Sequence, residues 1–296
     1  MVSKWTLTQV LAAAKEYLAK QKLTSPQLEA ELLLAHSLEL TRVELYTQYD
    51  RPLKQEEREK FKRLLKERCA GKPLQYITGS QAFRRLNLRV GQGVFIPRPE
   101  TELLVEKVIE EIGCVVGSSN SRPAFLDLGT GAGTICLALA EELEDADIWA
   151  VDISEKSLAV AEANAIAHGL DRKVTFVCGD LFSALPVVPA MKFDAIVANP
   201  PYIPSAQIDT LQDEVKNHEP REALDGGAIG TDFYRRITER ATEYLKDRGF
   251  IAFEVGIDQS EVVGDMLADS GFPSIDIFED YNGIKRVIIG HRHPNL

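Results

Sequence analysis

The sequence predicts an α/β protein: a mostly parallel sheet of seven strands covered by helices, preceded by a small N-terminal helical bundle and a β-hairpin. Three observations carry this. From Ala124 onward, short apolar runs alternate with helix-length amphipathic stretches. The first eighty residues place their apolar side chains at helical spacing. A glycine-rich segment directly follows the first apolar run and opens a helix, the arrangement of open sheets that bind ligands at their strand ends.

Residues 1–75 are expected to form a helical domain of four or five helices. Ser25-Pro26 joins an N-cap to proline at the first helical position, ahead of Leu28, Leu32 and Ala35 on one face. Residues 55–69 fit another helix, with Phe61, Leu64, Leu65 and Arg68 in helical register and Gly71 beyond its end. Pro73 and the region of Gly79 break the pattern. Residues 76–98 read as a linker carrying the hairpin. Leu86, Leu88 and Val90 alternate, Gly91-Gln92-Gly93 turns, and Val94-Phe95-Ile96 returns. Pro97-Arg98-Pro99 ends it, and the main domain is expected over 99–296. A helix over 100–112 carries acidic residues in its first turn, and 113–123, rich in Gly and Ser, reads as a surface loop.

Strands are then expected at 124–128, 148–152, 174–178, 193–198 and 250–255, with helices at 134–142, 155–168 and 259–270. Two last strands, 274–278 and 286–290, are separated only by a turn at Tyr281-Asn282-Gly283. That spacing is too short for a parallel crossover, so the sheet is expected to finish with an antiparallel pair.

Composition narrows the class. The chain has 296 residues, 45% hydrophobic and 27% charged, as in globular proteins, and contains no apolar run of the roughly 20 residues that span a bilayer. Met1-Val2-Ser3-Lys4-Trp5 lacks the apolar core of a secretory signal, so a cytoplasmic protein is expected. The four cysteines (Cys69, Cys114, Cys136, Cys178) have no paired spacing, and His291 with His293 lacks a third ligand, so no metal is expected. Residues 1–80 hold 14 Lys and Arg against 10 Asp and Glu, a net +4, leaving 20 against 35, a net −15, for the rest. An acidic main domain is a poor platform for a phosphate backbone, and no stable nucleic-acid partner is expected. The chain is expected to act as a monomer.

Four motifs fall at the carboxyl ends of consecutive strands. Gly129, Thr130, Gly131, Ala132 and Gly133 form the loop after the first. A hydride-carrying dinucleotide enzyme would want G-x-G-x-x-G, and Thr134 stands where the last glycine would fall, which favours a ligand without a pyrophosphate. Asp152 ends the second strand, about 20 residues on, where an acid can take two ribose hydroxyls. Asp180 follows the third and can accept from an adenine amino group while Leu181 covers the ring. Either aspartate could equally be an N-cap.

Asn199-Pro200-Pro201-Tyr202 ends the fourth. Two prolines cannot donate to a ladder and must leave the sheet at once. The Asn199 side-chain oxygen and the Pro200 carbonyl can both accept from a planar NH2 group, with Tyr202 against its flat face. Accepting both protons draws the nitrogen lone pair out of conjugation. A nucleoside site beside such a trap implies methyl transfer from S-adenosylmethionine, leaving S-adenosylhomocysteine.

The glycine loop, Asp152, Gly179-Asp180 and Asn199-Pro200-Pro201-Tyr202 resemble a class I S-adenosylmethionine-dependent methyltransferase, Rossmann-like with a final antiparallel strand. Phe95-Ile96-Pro97-Arg98-Pro99-Glu100-Thr101-Glu102, with the helical bundle, makes the chain similar to the release factor glutamine N(5)-methyltransferases (PrmC/HemK), from about Leu11 to Val287. Further matches are His218-Glu219-Pro220, Phe253-Glu254-Val255-Gly256 and Asp280-Tyr281. Leu181 departs from members that carry tryptophan there.

The resemblance implies a substrate glutamine from the Gly-Gly-Gln loop of a peptide chain release factor. Asn199 and the Pro200 carbonyl would hold its NH2 and serve with Tyr202 as the catalytic set, Pro201 and Phe95 helping to shape the slot. The helical domain would recognise the body of the factor. Glu219 and Glu254 could stabilise the site or merely cap and pair, and Arg98 could fix the loop over the cofactor or be an ordinary surface residue. Three other readings stay open: a ribosomal-protein glutamine methyltransferase, an adenine or guanine amino-group methyltransferase on DNA or RNA, and a non-catalytic adaptor. Pro99-Glu100-Thr101 favours the release-factor enzyme over the first.

Overall fold

Thr6 starts the first helix with a reciprocal cap: its hydroxyl accepts from the Gln9 N–H, and the Gln9 side chain accepts from the Thr6 N–H. The structure, a computed structural model, describes residues 5–116, 122–185 and 192–292. The chain divides into two compact units, residues 1–80 with 212–218, and residues 81–211 with 219–296.

The first unit contains α1 (Leu7–Lys20), α2 (Pro26–Leu38), α3 (Arg42–Thr47), α4 (Gln55–Cys69) and α5 (Leu74–Thr78). Proline at the first position of α2 and a second reciprocal cap, Thr41 with Glu44, set where α2 and α3 begin. Leu18, Leu33, Leu34 and Phe61 are buried at the centre of this unit. The buried stripe of α2 runs through Ala30, Leu33, Leu34 and Ser37, so Leu28 and Leu32 do not carry the buried face expected of them. The reason is packing against both α1 and α4, which rotates the helix toward residues between the expected ones.

The second unit opens with a hairpin of β1 (Ser80–Phe83) and β2 (Leu86–Arg89), followed by α6 (Thr101–Val116). It continues through β3 (Ala124–Leu128), α7 (Thr134–Glu142), β4 (Asp147–Asp152), α8 (Glu155–His168), β5 (Val174–Cys178) and β6 (Phe193–Ala198). The short α9 (Asp213–Lys216) belongs to the first unit, after which α10 (Asp232–Tyr244), β7 (Leu245–Glu254), α11 (Ser260–Asp269), β8 (Ser274–Glu279) and β9 (Lys285–His291) complete the second. In the first unit, Glu214 of α9 meets the buried Arg68, whose Nη1 lies 2.8 Å from Glu214 Oε2 and whose Nε lies 2.5 Å from Glu29 Oε2. Arg68 is thus buried through its charge, where its spacing had suggested an apolar face.

The sheet order is β5-β4-β3-β6-β7-β9-β8. Neighbours from β5 to β7 pair in parallel, and β9 runs antiparallel to both β7 and β8, the finish its short turn requires. Every residue of β6 is buried, as for a strand covered on both faces. One apolar cluster centred on Phe125, Leu139 and Ile148 fills one side, and another centred on Tyr234, Phe253 and Leu267 fills the other. No helix among the described residues is long and apolar enough to cross a membrane.

Three local expectations are corrected. The hairpin turns at Arg84-Arg85, one strand earlier than expected, and Val94-Phe95-Ile96 is not a strand. Arg84 takes a left-handed conformation (φ 48°) because Glu102 accepts from its N–H at 2.9 Å and Glu142 pairs with its guanidinium. The turn is therefore held by side chains that a glycine search does not find. The expected helix over 100–112 continues through Gly113 to Val116, shortening the loop, of which 117–121 lie outside the described residues. Helix α10 was not expected. Its buried residues, Tyr234, Ile237, Thr238 and Ala241, keep helical spacing beneath a heavily charged surface.

Candidate active site

The chain goes outward from β3 to β4 and β5, then returns to β6 on the other side of β3, so the switch point of the sheet lies between β3 and β6. The two strands share a register of Phe125↔Ala195, Leu126↔Ile196 and Asp127↔Val197. Carried two residues on, it sets Gly129 beside Asn199. A cavity of about 690 Å³ opens there, a size usual for small-ligand sites.

Its lining includes Gly129, Thr130, Gly131, Ala132, Asp152, Asp180, Leu181, Asn199, Pro200, Pro201 and Phe95. Two expected residues do not line it. Gly133 lies beneath, as the left-handed N-cap of α7 (φ 84°), where an added Cβ would stand 2.8 Å from Leu137 Cδ1 and 3.2 Å from Ala161 Cβ. Tyr202 packs against the core, and burial beside Glu254 pushes its phenol up to about 12. Gln259 pins its backbone, donating from Nε2 to the Tyr202 carbonyl at 2.9 Å while accepting from the Gly256 N–H.

Asp152 accepts from the Gly131 N–H at 2.8 Å and the Ser154 N–H at 2.9 Å, one on each oxygen. Each oxygen keeps a further lone pair for a ligand hydroxyl, and burial raises this carboxyl above its ordinary value. Asp180 meets Arg236 Nη2 at 2.6 Å on one oxygen. Leu181 follows in a left-handed conformation (φ 49°). Ile153, 66% exposed, lines the cavity at the end of the neighbouring strand, so two aliphatic side chains are available to a planar base.

Three further residues shape the cavity. Asp127, wholly buried under the glycine loop, accepts from Thr130 Oγ1 at 2.7 Å and the Cys136 N–H at 3.1 Å. Its other oxygen has no hydrogen-bond partner among the described residues, and burial pushes the acid up to about 7. Asn164 of α8 donates to the carbonyls of Ala132 and Arg89, tying the loop to the hairpin. Thr101 lines the cavity, accepting from Asn199 Nδ2 at 3.1 Å and donating to Glu254 Oε2 at 2.6 Å. The pairing of Asp127 with the glycines was the available signal; nothing in the sequence linked Thr101 to Asn199.

The ambiguous acids and arginine also find definite partners. Glu219 accepts from the Ile96 N–H at 3.2 Å and pairs with Arg98, whose guanidinium lies 4.7 Å from the Phe95 ring centroid. Glu254, almost fully buried, is pushed up to about 7 by desolvation. His291 meets Asp276 Oδ2 at 3.0 Å, while His293 lies outside the described residues.

A family profile described as the PrmC N-terminal domain matches residues 9–79, and one described as a methyltransferase domain matches 119–254. The chain is 42% identical over 286 residues to the release factor glutamine methyltransferase of Geobacter sulfurreducens, covering 97% of this chain and 96% of that protein. The chain belongs to the release factor glutamine methyltransferase family. The Chlorobaculum tepidum member is 39% identical over 283 residues, covering 95% and 96%. Among solved structures, the N-terminal domain of human METTL16 matches with a TM-score of 0.55 at 17% identity, covering 77% of this chain and 83% of that one. A second structure of that domain, in complex with SAH, matches with a TM-score of 0.52. At such identity these two structures speak to the class I methyltransferase fold, and family membership rests on the nearly full-length relatives.

Proposed function

We propose that this release factor glutamine methyltransferase methylates the side-chain amide nitrogen of a glutamine in the Gly-Gly-Gln motif of peptide chain release factors, with S-adenosylmethionine as donor. Similarity to family members along nearly the whole chain carries the reading.

The residues present suit that donor. Asp152 keeps acceptor capacity for ribose hydroxyls, Asp180 keeps an oxygen for an adenine amino group, and Ile153 and Leu181 offer apolar faces to the base. Asp127, buried beneath the glycine loop, holds that loop in place through Thr130 and the Cys136 N–H. When bound, S-adenosylmethionine supplies a methyl group on a cationic sulfur. The chain's own part is placement: Asn199 Oδ1 and the Pro200 carbonyl accept the two N–H groups of the substrate amide and aim its lone pair. Phe95 and Pro201 border the slot, and Tyr202 supports the turn from behind. Positioning of this kind contributes on the order of 7–11 kcal/mol. The helical unit, net +4 over residues 1–80, recognises the body of the factor.

The test is methyl transfer from labelled S-adenosylmethionine to a release factor and to its Gly-Gly-Gln→Gly-Gly-Ala variant. Label confined to the wild-type factor is the expected result. Equal label in both would move the target elsewhere, and label in neither would point to the ribosomal-protein or nucleic-acid substrates.

A further inference from the structure

An amide traps an NH2 group only if its oxygen faces that group. The Asn199 side chain can sit either way round, so something must fix it. Thr101 Oγ1, buried at the cavity wall, stands between Asn199 Nδ2 at 3.1 Å and Glu254 Oε2 at 2.6 Å. The Asn199 amide also lies close to Glu254. An ionised carboxylate only accepts, so the Thr101 hydroxyl must give it its proton, leaving the hydroxyl lone pairs to receive Asn199 N–H. In that state a single orientation satisfies every group: the Asn199 NH2 inward, its Oδ1 toward the cavity.

We propose that Thr101 and Glu254 are positioning residues that set the Asn199 amide with its oxygen toward the substrate. This rests on the reading of Asn199 as the amide trap. It also yields a switch. A protonated Glu254 can donate to Thr101, the hydroxyl then donates to Asn199, and the Asn199 amide turns its own NH2 to the substrate NH2, so that donor faces donor. Burial pushes Glu254 up to about 7. Glu100 and Arg286 face Glu254 with their charges, Tyr202 lies beside it, and the Tyr234 hydroxyl donates to its backbone carbonyl at 2.9 Å. Neutral Glu254 dominates below that value, so methyl transfer is lost on the acid side.

The experiment compares wild type, Thr101→Val, Thr101→Ser, Glu254→Gln and Asn199→Ala in single-turnover methyl transfer to a release factor across pH 5.5–9. S-adenosylhomocysteine binding and thermal melting are measured on each. Thr101→Val is expected to lose about 10–100-fold in rate, as when a partner that orients a functional side chain is removed, with S-adenosylhomocysteine affinity unchanged. Thr101→Ser, which keeps the hydroxyl, retains the wild-type rate within about threefold, and Glu254→Gln is slow with a flat acid limb. A folded Thr101→Val at the wild-type rate would overturn the proposal, as would an unaltered acid limb in Glu254→Gln, which also decides the matter if Thr101→Val does not fold. Full activity in Asn199→Ala would instead defeat the trap itself, separating the two failures.

Discussion

Arg98 Nη2 lies 2.5 Å from Glu219 Oε1, across 121 residues of sequence, and Glu219 also receives the Ile96 N–H. One buried carboxylate thereby fixes the loop that presents Phe95 to the cavity. Replacing Glu219 by alanine strands a backbone donor and a part-buried guanidinium. The expected cost is about 1–3 kcal/mol of stability, with the rate of methyl transfer falling as Phe95 loosens. Denaturant melts beside single-turnover rates check this, and an unchanged melt would mean the pair is idle.

Gly226 packs against the trap from the other side. A Cβ there would stand 2.7 Å from the Pro201 carbonyl oxygen and 2.8 Å from Tyr202 Cα, both backbone atoms that cannot swing away. Gly226→Ala should therefore displace the turn and cut turnover by about 10²-fold, the cost of misplacing a positioning group by about 1 Å. S-adenosylhomocysteine binding should persist. Loss of both together would show a general collapse of the fold.

Asp180 shares its charge with Arg236 at a half-exposed pair, an arrangement worth at most about 1 kcal/mol to the fold. In its proposed role Asp180 would give a bound adenine amino group one hydrogen bond, about 0.5–1.5 kcal/mol. Asp180→Ala should weaken S-adenosylhomocysteine roughly 3–10-fold by calorimetry while leaving the melting temperature nearly fixed. Unaltered affinity would place the adenine elsewhere.

Glu254 and Asp127 rise from ordinary values of 4.5 and 3.8 to about 7 on folding. An acid raised by folding contributes stability below its unfolded pKa and loses it as pH climbs through the folded one. Both contributions therefore fade between about pH 4 and 7, and stay absent above. Glu254→Gln removes one of them, so its stability relative to wild type should improve from pH 5 to pH 8, by up to roughly 3 kcal/mol. Urea melts at the two pH values measure it, and a pH-independent difference would contradict the burial argument.

The elements that could be read most directly were those whose pattern is local. Strands β3, β5 and β6 and helices α4, α7 and α8 lie where apolar period, caps and glycines put them. The hairpin was misplaced because Arg84 is held in a left-handed turn by Glu102 and Glu142, partners 18 and 58 residues away. Helix α10 was hidden because its four buried residues are outnumbered by the charged and polar ones around them. β7 begins at Leu245, five residues before its apolar run, because Leu245 pairs with Phe193 across a bulge. The site divides the same way. The glycines, Asp152, Asp180 and Asn199 announce themselves at strand ends, whereas the roles of Thr101 and Glu254 depend on α6 and β7 bringing them to one point. Tyr202, expected against the flat face of the substrate amide, instead packs partly buried against the core and does not line the cavity.

The stretch 212–218 has its partners in the helical unit while the residues on either side of it belong to the catalytic unit. The helical unit is thus encoded in two separate pieces, joined through Arg68 to both Glu29 and Glu214. Grafting it between relatives means moving two stretches of gene together. A graft of residues 1–80 alone imports Arg68 without Glu214, the second carboxylate it pairs with, which stays behind in the donor chain.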